Sequence, residues 1–417
     1  MLSLGVFSGF FISIEYFVGV NQDFNFRVMK LLYISCFLLL GFIADCQKIV
    51  RGVVINGANK QVVSKVKIFF TGTSIGTTTN EQGEFSVKIP FGRHILVASS
   101  PEFETFGQFI NSDETLDSFV IQLKTKPQQS GRDADVYEED GWQKWGDFFL
   151  DNFLGSEINS KCRIKNSKVL KFRLSTKTGN LFAYADEPLI IENKILGYTI
   201  LYKLETFVCD FKTRLIDYNG YSLFQPLSGT TSQQNEWEKR RGEVYFGSLM
   251  HFMRSVYRNQ IQEEGFDVRP LKKIRSVSYQ VVPSNSENMH LAKDNDSTGT
   301  ANSDSDIRDQ ILNPDYYKDV IGNALPGDSI AYAIDKARAG LYFNDFLMVI
   351  YRSESSENEQ NSGDIVSQIT LINKRPLEIE ADGSFYNYRD LMILGGWTGS
   401  TKIHRLLPFD YSPSKIK

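Results

Sequence analysis

Residues 48–124 constrain the fold most, because they read as short strands separated by turn signals about 8–12 residues apart. Ile49–Val54 is β-branched and ends at Asn56-Gly57, and Val66–Phe70 runs into Thr71-Gly72. Ile75–Thr79 is a Thr-rich edge, and Asn80-Glu81-Gln82-Gly83 turns the chain into Glu84–Ile89. That last segment alternates strictly, placing Phe85, Val87 and Ile89 on one face, as the period of two along a strand requires. Pro90-Phe91-Gly92 turns again, and His94–Ala98 and Ser118–Leu123 complete the set. Strands this short, each with one apolar face, bury those faces by stacking two sheets into a sandwich.

Gly52-Val53-Val54, Val66, Ile68–Thr73 and Gly76–Phe85 together resemble the carboxypeptidase-regulatory-like domain. The resemblance implies a seven- or eight-stranded prealbumin-like β-sandwich with no catalytic residues of its own, fused to many exported bacterial proteins. Ser99–Phe103 departs from the Gly-Tyr turn usual there. Gly72-Thr73-Ser74-Ile75-Gly76 also fits G-x-S-x-G, but a nucleophile elbow needs a helix after the Ser, and here a Thr-rich strand and a hairpin follow. It reads as a turn.

Arg27 and Lys30 precede an apolar run, Leu31–Ile43, which ends at Ala44-Asp45-Cys46. This is the order of a signal peptide. It assigns residues 1–46 to the leader, with cleavage after Cys46, Gln47 as the first mature residue and Met29 as an alternative start. The run is short for a spanning helix of about 20 residues, the form an uncleaved anchor would need. Lipidation of Cys46 is a further alternative, opposed by the bulky, charged Asp45. Export leaves Cys162 and Cys209 as a candidate disulfide, with two buried free thiols as the other reading. Lys+Arg of 46 against Asp+Glu of 50 gives a net charge of −4, which argues against a nucleic-acid partner.

Residues 125–139 form a polar linker, and 140–417 read as a larger α+β domain of mainly antiparallel strands with two main helices. The whole chain is thus β-rich and α+β. Trp142, Trp145, Phe148, Phe149 and Phe153 recur at helical spacing, with Gly155 as C-cap. The second helix reads as one piece from Glu236 to Gln262, ended by Gly265. Its Met250, Met253, Val256 and Tyr257 make an apolar stripe. Arg240, Arg241, Arg254 and Arg258 lie mainly off it, as a solvated face that with His251 is a weak candidate surface for an acidic glycan. Strand-like runs fall at Val169–Leu174, Leu181–Ala185, Leu189–Glu192, Tyr198–Phe207, Leu215–Gly220, Ser329–Ile334, Phe346–Tyr351, Ile365–Ile372 and Leu377–Glu380. Polar stretches at 285–307 and 353–363 read as mobile insertions. Ala381–Ser384 is a hairpin signal, beside which Glu380 and Asp382 read as exposed carboxylates. Trp397 and Leu406–Tyr411 are expected to pack back on the domain. Trp142, Phe153-Leu154-Gly155, Cys162–Asn166, Pro188–Asn193, Leu196–Tyr198, Gly220-Tyr221 and Arg241–Ser248 resemble the C-terminal region of exported bacterial proteins headed by the same sandwich. That likeness implies architecture and export and gives no active site.

Motifs with chemistry are scarce. A metallocarboxypeptidase needs His-x-x-Glu, yet His94, His251, His290 and His404 are followed three residues on by Val97, Arg254, Lys293 and Leu407. No Walker A or G-x-G-x-x-G sequence stands in a βαβ context. Ser248 and His251 lie one helical turn apart, without an identifiable orienting carboxylate. Gly327-Asp328-Ser329 matches the start of an esterase motif but sits mid-chain. The sequence therefore points to an exported cell-envelope binding or scaffolding protein with no catalytic, cofactor or metal site. The expected partner is an envelope protein or glycan, with peripheral outer-membrane association. A hydrolase with its site in 140–417, or an accessory of a TonB-dependent outer-membrane receptor, are the alternatives.

Overall fold

In the computed structural model, the described residues are 48–113, 118–126, 137–155, 161–275, 304–352, 363–386 and 388–413. The signal peptide with Cys46, most of the linker, His290, and the insertions at 285–303 and 353–362 lie outside them.

The first strands are β1 (Ile49–Asn56), β2 (Lys67–Phe70), β3 (Gly76–Thr78), β4 (Glu84–Lys88), β5 (Arg93–Ser99), β6 (Phe106–Asn111) and β7 (Phe119–Leu123). They form one sheet in the order β4-β1-β7 and a second in the order β3-β2-β5-β6. Strand β7 runs parallel to β1, and the other pairings are antiparallel. The alternation of β4 turns Phe85 and Val87 inward against Ile68, Phe70, Leu96 and Ala98, which close the sandwich core. The sequence hides β6, since Ile110 is its one buried residue and leaves no alternation to detect.

The next layer comprises α1 (Gly141–Phe153), β8 (Cys162–Ile164), β9 (Leu170–Leu174), β10 (Asn180–Ala185), β11 (Leu189–Asn193), β12 (Tyr198–Asp210) and β13 (Leu215–Pro226). Its sheet runs β8-β11-β12-β10-β9, with β13 on the other side of β12. Phe149 and Phe153 of α1 lie on Phe172, Phe207, Tyr202 and Tyr218, so the aromatic stripe forms core. Gly155, at φ +117°, ends α1 by donating to the Leu150 carbonyl. A bulge between Leu204 and Thr206 shifts the inward phase of β12 from Leu204 to Phe207.

The remaining elements are α2 (Thr231–Tyr245), α3 (Leu249–Arg258), β14 (Phe266–Arg275), α4 (Asp304–Leu312), β15 (Tyr317–Ile321), β16 (Ala331–Ala333), β17 (Arg338–Leu341), β18 (Phe346–Tyr351), β19 (Ile365–Leu371), β20 (Leu377–Glu380), β21 (Phe385–Tyr386), β22 (Leu391–Gly395) and α5 (Gly396–Ser400). They build the sheets β15-β14-β18-β19-β22 and β16-β17-β20-β21. Phe252, Met253 and Val256 of α3 bury against both, alongside Val268, Val349, Ile369, Ile379 and Trp397. Helix α4 starts inside the 285–307 stretch and sets Ile307 beside Leu271 and Phe346.

The single helix expected over 236–262 is two helices. Gly247 sits at φ +76°, where a Cβ would lie 2.5 Å from the Tyr351 ring. Its carbonyl accepts from Trp397 Nε1 at 2.7 Å, and Ser248 caps the new helix by accepting from His251 N. Thr230 caps helix α2 and forms a capping box with Gln233.

The candidate disulfide is not formed: Cys162 and Cys209 are buried free thiols. Cys162 pairs with Asn193 and thence with Tyr198, at the opposite end of β12 from Cys209. At roughly 3.3 Å per residue the separation is tens of ångströms, against the roughly 7 Å between Cα atoms that a bridge tolerates.

Candidate functional site

The five residues of the candidate surface do not share a face. Arg240 and Arg258 are exposed and pair with Glu236, Glu243 and Glu264. Arg241 turns inward, donates to the Leu196 carbonyl at 2.8 Å and lies over the Tyr198 ring. Arg254 is only 5% exposed. Its Nε donates to the Asp382 carbonyl at 2.8 Å, and its Nη2 to the carbonyls of Phe409 and Tyr411 at 3.0 Å. One guanidinium thus joins α3, the β20–β21 turn and the C-terminal tail. The expected solvated face fails because α3 is buried around most of its circumference, with Leu249 and His251–Val256 all inside.

His251, read as a surface residue, is 1% exposed. Gly247 N–H donates to its Nδ1 at 3.1 Å, which places the proton on Nε2, facing Glu264 Oε2 at 3.0 Å. Burial lowers its pKa, outweighing the opposing hydrogen bond from Glu264. A carboxylate absent from the sequence reading thus orients this histidine. The pair still lacks the geometry of a Ser–His base, because the Ser248 hydroxyl serves the His251 backbone and Nδ1 is occupied by a main-chain donor. Ser248 lines a cleft of about 470 Å³ with Asp364, Trp397 and Arg405. A second cleft, of about 610 Å³, lies between Lys194 and the first turns of α2, against Trp237. Gly327–Ser329 is a short 3₁₀ turn ahead of β16.

Polar contacts gather where the sandwich meets the rest of the chain, at two joints. At the first, Gly72 N–H donates to the Ser222 carbonyl and Phe224 N–H to the Thr73 carbonyl, while Phe409 N–H donates to the Gly72 carbonyl at 2.7 Å. Ser74 donates through both its amide and its hydroxyl to Asp410. The G-x-S-x-G segment is therefore a docking turn. Gly72, at φ +75°, has no room for a Cβ, which would meet the Phe409 ring at 2.6 Å.

At the second joint, Arg93 opens β5 against β20 and β21. Its N–H donates to Glu380 Oε2 at 3.2 Å, and its carbonyl accepts from the Tyr386 hydroxyl. Its guanidinium pairs with Glu378, approaches Glu380 Oε1 at 3.5 Å and lies over the rings of Phe109 and Tyr386. Arg338 of β17 reaches Glu378 at 3.0 Å, and His94 Nδ1 stands 3.7 Å from Asp382. The expected exposed pair Glu380 and Asp382 is corrected here. The hairpin forms, with Gly383 N–H donating to the Glu380 carbonyl, but Glu380 is 0% exposed, with its carboxyl against the Arg93 amide of the sandwich. Desolvation pushes its pKa up to about 7, against the opposing pull of Arg93. Arg93 carries no sequence signal, since its partners lie nearly three hundred positions away.

Among the described residues, no three His, Cys, Asp or Glu side chains group so as to hold a metal, and no helix is long and apolar enough to cross a membrane.

Residues 50–131 match the family model of the CarboxypepD_reg-like domain. The N-terminal sandwich is a domain of that class, as the strand pattern implies. No curated protein matches the chain. A crystal structure from Bacteroides fragilis NCTC 9343, of a protein of unknown function described as membrane-associated, is 10% identical to this chain. It covers 79% of this chain and 92% of its own, at a TM-score of 0.15, too low to bear on architecture or activity.

Proposed function

We propose that the protein is an exported, non-catalytic binding or scaffolding protein of the cell envelope, which presents a CarboxypepD_reg-like domain on a larger β-rich body. Its partner is an envelope protein or a glycan, and its membrane association is peripheral. One observation carries this reading: the side chains best suited to catalysis brace the fold instead. Ser74 joins the sandwich to Asp410, Ser248 caps α3, His251 has both ring nitrogens engaged, and Arg254 spans three carbonyls. The two joints seat the sandwich against the rest of the chain, as presenting it on a scaffold requires. The leader-like sequence at 1–46 supplies the case for export.

Two measurements test this. Cell fractionation is expected to recover the chain, beginning at Gln47, with the envelope, and recovery in the cytosol would refute export. The purified mature chain is expected to leave peptide, ester and glycan libraries intact. Turnover abolished by a single substitution within 140–417 would establish the hydrolase reading instead.

A further inference from the structure

Of the two joints that seat the sandwich, the first is made of main-chain hydrogen bonds, a serine–aspartate contact and an apolar cluster of Phe69, Val97 and Leu223, and the second encloses a carboxyl group. We infer that the second joint is a proton-operated clasp: neutral Glu380 holds the sandwich against β20 and β21, ionised Glu380 releases that side, and the Gly72–Asp410 joint acts as the hinge.

The geometry carries the argument. Glu380 has no exposed surface, and the sandwich contributes to its enclosure through the Arg93 amide and Gly92, where a Cβ would lie 2.8 Å from Glu380 Oε2. Its Oε2 accepts the Arg93 amide, but Oε1 has no hydrogen bond and only a 3.5 Å approach from Arg93 Nε, which is itself unbonded. A buried carboxylate needs its lone pairs filled to offset lost hydration, and this pairing falls short. The surroundings are mixed in sign. Arg93 and His94 face the group from β5 and Arg338 from β17, while Glu378, Asp382 and Tyr386 stand on its own hairpin. From α3, Tyr257 lies on the same side, and Arg254 is bound to the Asp382 carbonyl. The cations do not outweigh desolvation, so the seated form retains its proton up to about pH 7. A released Glu380 returns towards its ordinary value of 4.5. Seating therefore takes up a proton between those values. Its Glu380-dependent part is complete below about pH 4.5 and is lost as the pH rises through about 7.

The Arg93 amide reports the clasp, because it donates across the joint. Its hydrogen-exchange protection, corrected for the intrinsic rate, is expected to be roughly thirtyfold greater at pH 5.5 than at pH 8, as the shift from 4.5 to about 7 requires. The Gly72 amide, bonded across the hinge, is expected to stay level. Glu380→Gln is expected to keep Arg93 protected at pH 8 and to abolish the slope. Level Arg93 protection in the native chain, the same slope in the variant, or a parallel loss at Gly72 would each overturn the clasp. Should the variant not fold, carbon-13 titration of the Glu380 carboxyl in the native chain decides. A midpoint near 7 supports the clasp, and one near 4.5 refutes it.

Discussion

Two buried ionisable groups, His251 at the α2–α3 break and Glu380 at the sandwich joint, show how one physical cause acts in opposite directions. Burial favours the neutral form of each. For a histidine that lowers the pKa below its ordinary 6.5, so His251 contributes fully above that value and its contribution is lost as the pH falls. For a carboxyl it raises the pKa, so Glu380 contributes fully in acid and its contribution is lost as the pH rises through about 7. Acid should therefore weaken the core around α3 while tightening the seat of the sandwich. The two contributions oppose each other, so their sum is expected to vary less with pH than either alone.

Arg254 is the test that breaks both regions at once. It sits one helical turn from His251 and holds the Asp382 carbonyl two residues beyond Glu380. Arg254→Ala removes the donors for three carbonyls in a buried place and leaves a cavity under the tail. A loss of roughly 3–5 kcal/mol is expected, read as a shifted urea midpoint. A loss below about 1 kcal/mol would show that water replaces the guanidinium and that the two regions are not braced through it.

The same residues show how far the sequence reaches. Strand β4 declares itself because its neighbours in sequence alternate in burial. Strand β14 does not, because Pro270 and Lys272-Lys273 interrupt its apolar pattern. The structure accommodates Pro270 where β15 has not yet begun to pair, since β15 covers only Leu271–Arg275. His251 and Arg254 look like a polar helix face until two sheets and the tail close over them. Glu380 reads as exposed because its own hairpin is short and polar, and the Arg93 amide that meets its carboxyl lies in a distant segment. Local periodicity therefore discloses the sandwich and the α1 core, whereas a site assembled from distant segments leaves no local mark.

His251→Gln isolates one half of the comparison. Glutamine keeps a donor for Glu264 and does not titrate. The variant is expected to cost about 1–2 kcal/mol at pH 8, where the histidine is neutral and well packed. Its deficit should shrink towards pH 5, because the native chain alone then bears the cost of a buried imidazolium. Urea melts of both chains at the two pH values check this. A deficit that widens in acid would mean that Glu264 stabilises the charged ring more than burial opposes it, reversing the sign assigned to this region.

The smallest effect is expected at Arg240, which lies outside both regions. It is about half exposed and pairs with Glu236 and Glu243 along its own helix. Exposed pairs of this kind contribute about 0.3–0.5 kcal/mol each and weaken with salt. Arg240→Ala should therefore move the urea midpoint by less than about 1 kcal/mol, with the difference shrinking in high salt and unchanged between pH 5 and pH 8. If the effect instead approached that of Arg254→Ala, the four arginines would share a structural role after all. The distinction between the buried brace of α3 and the solvated face of α2 would then be lost.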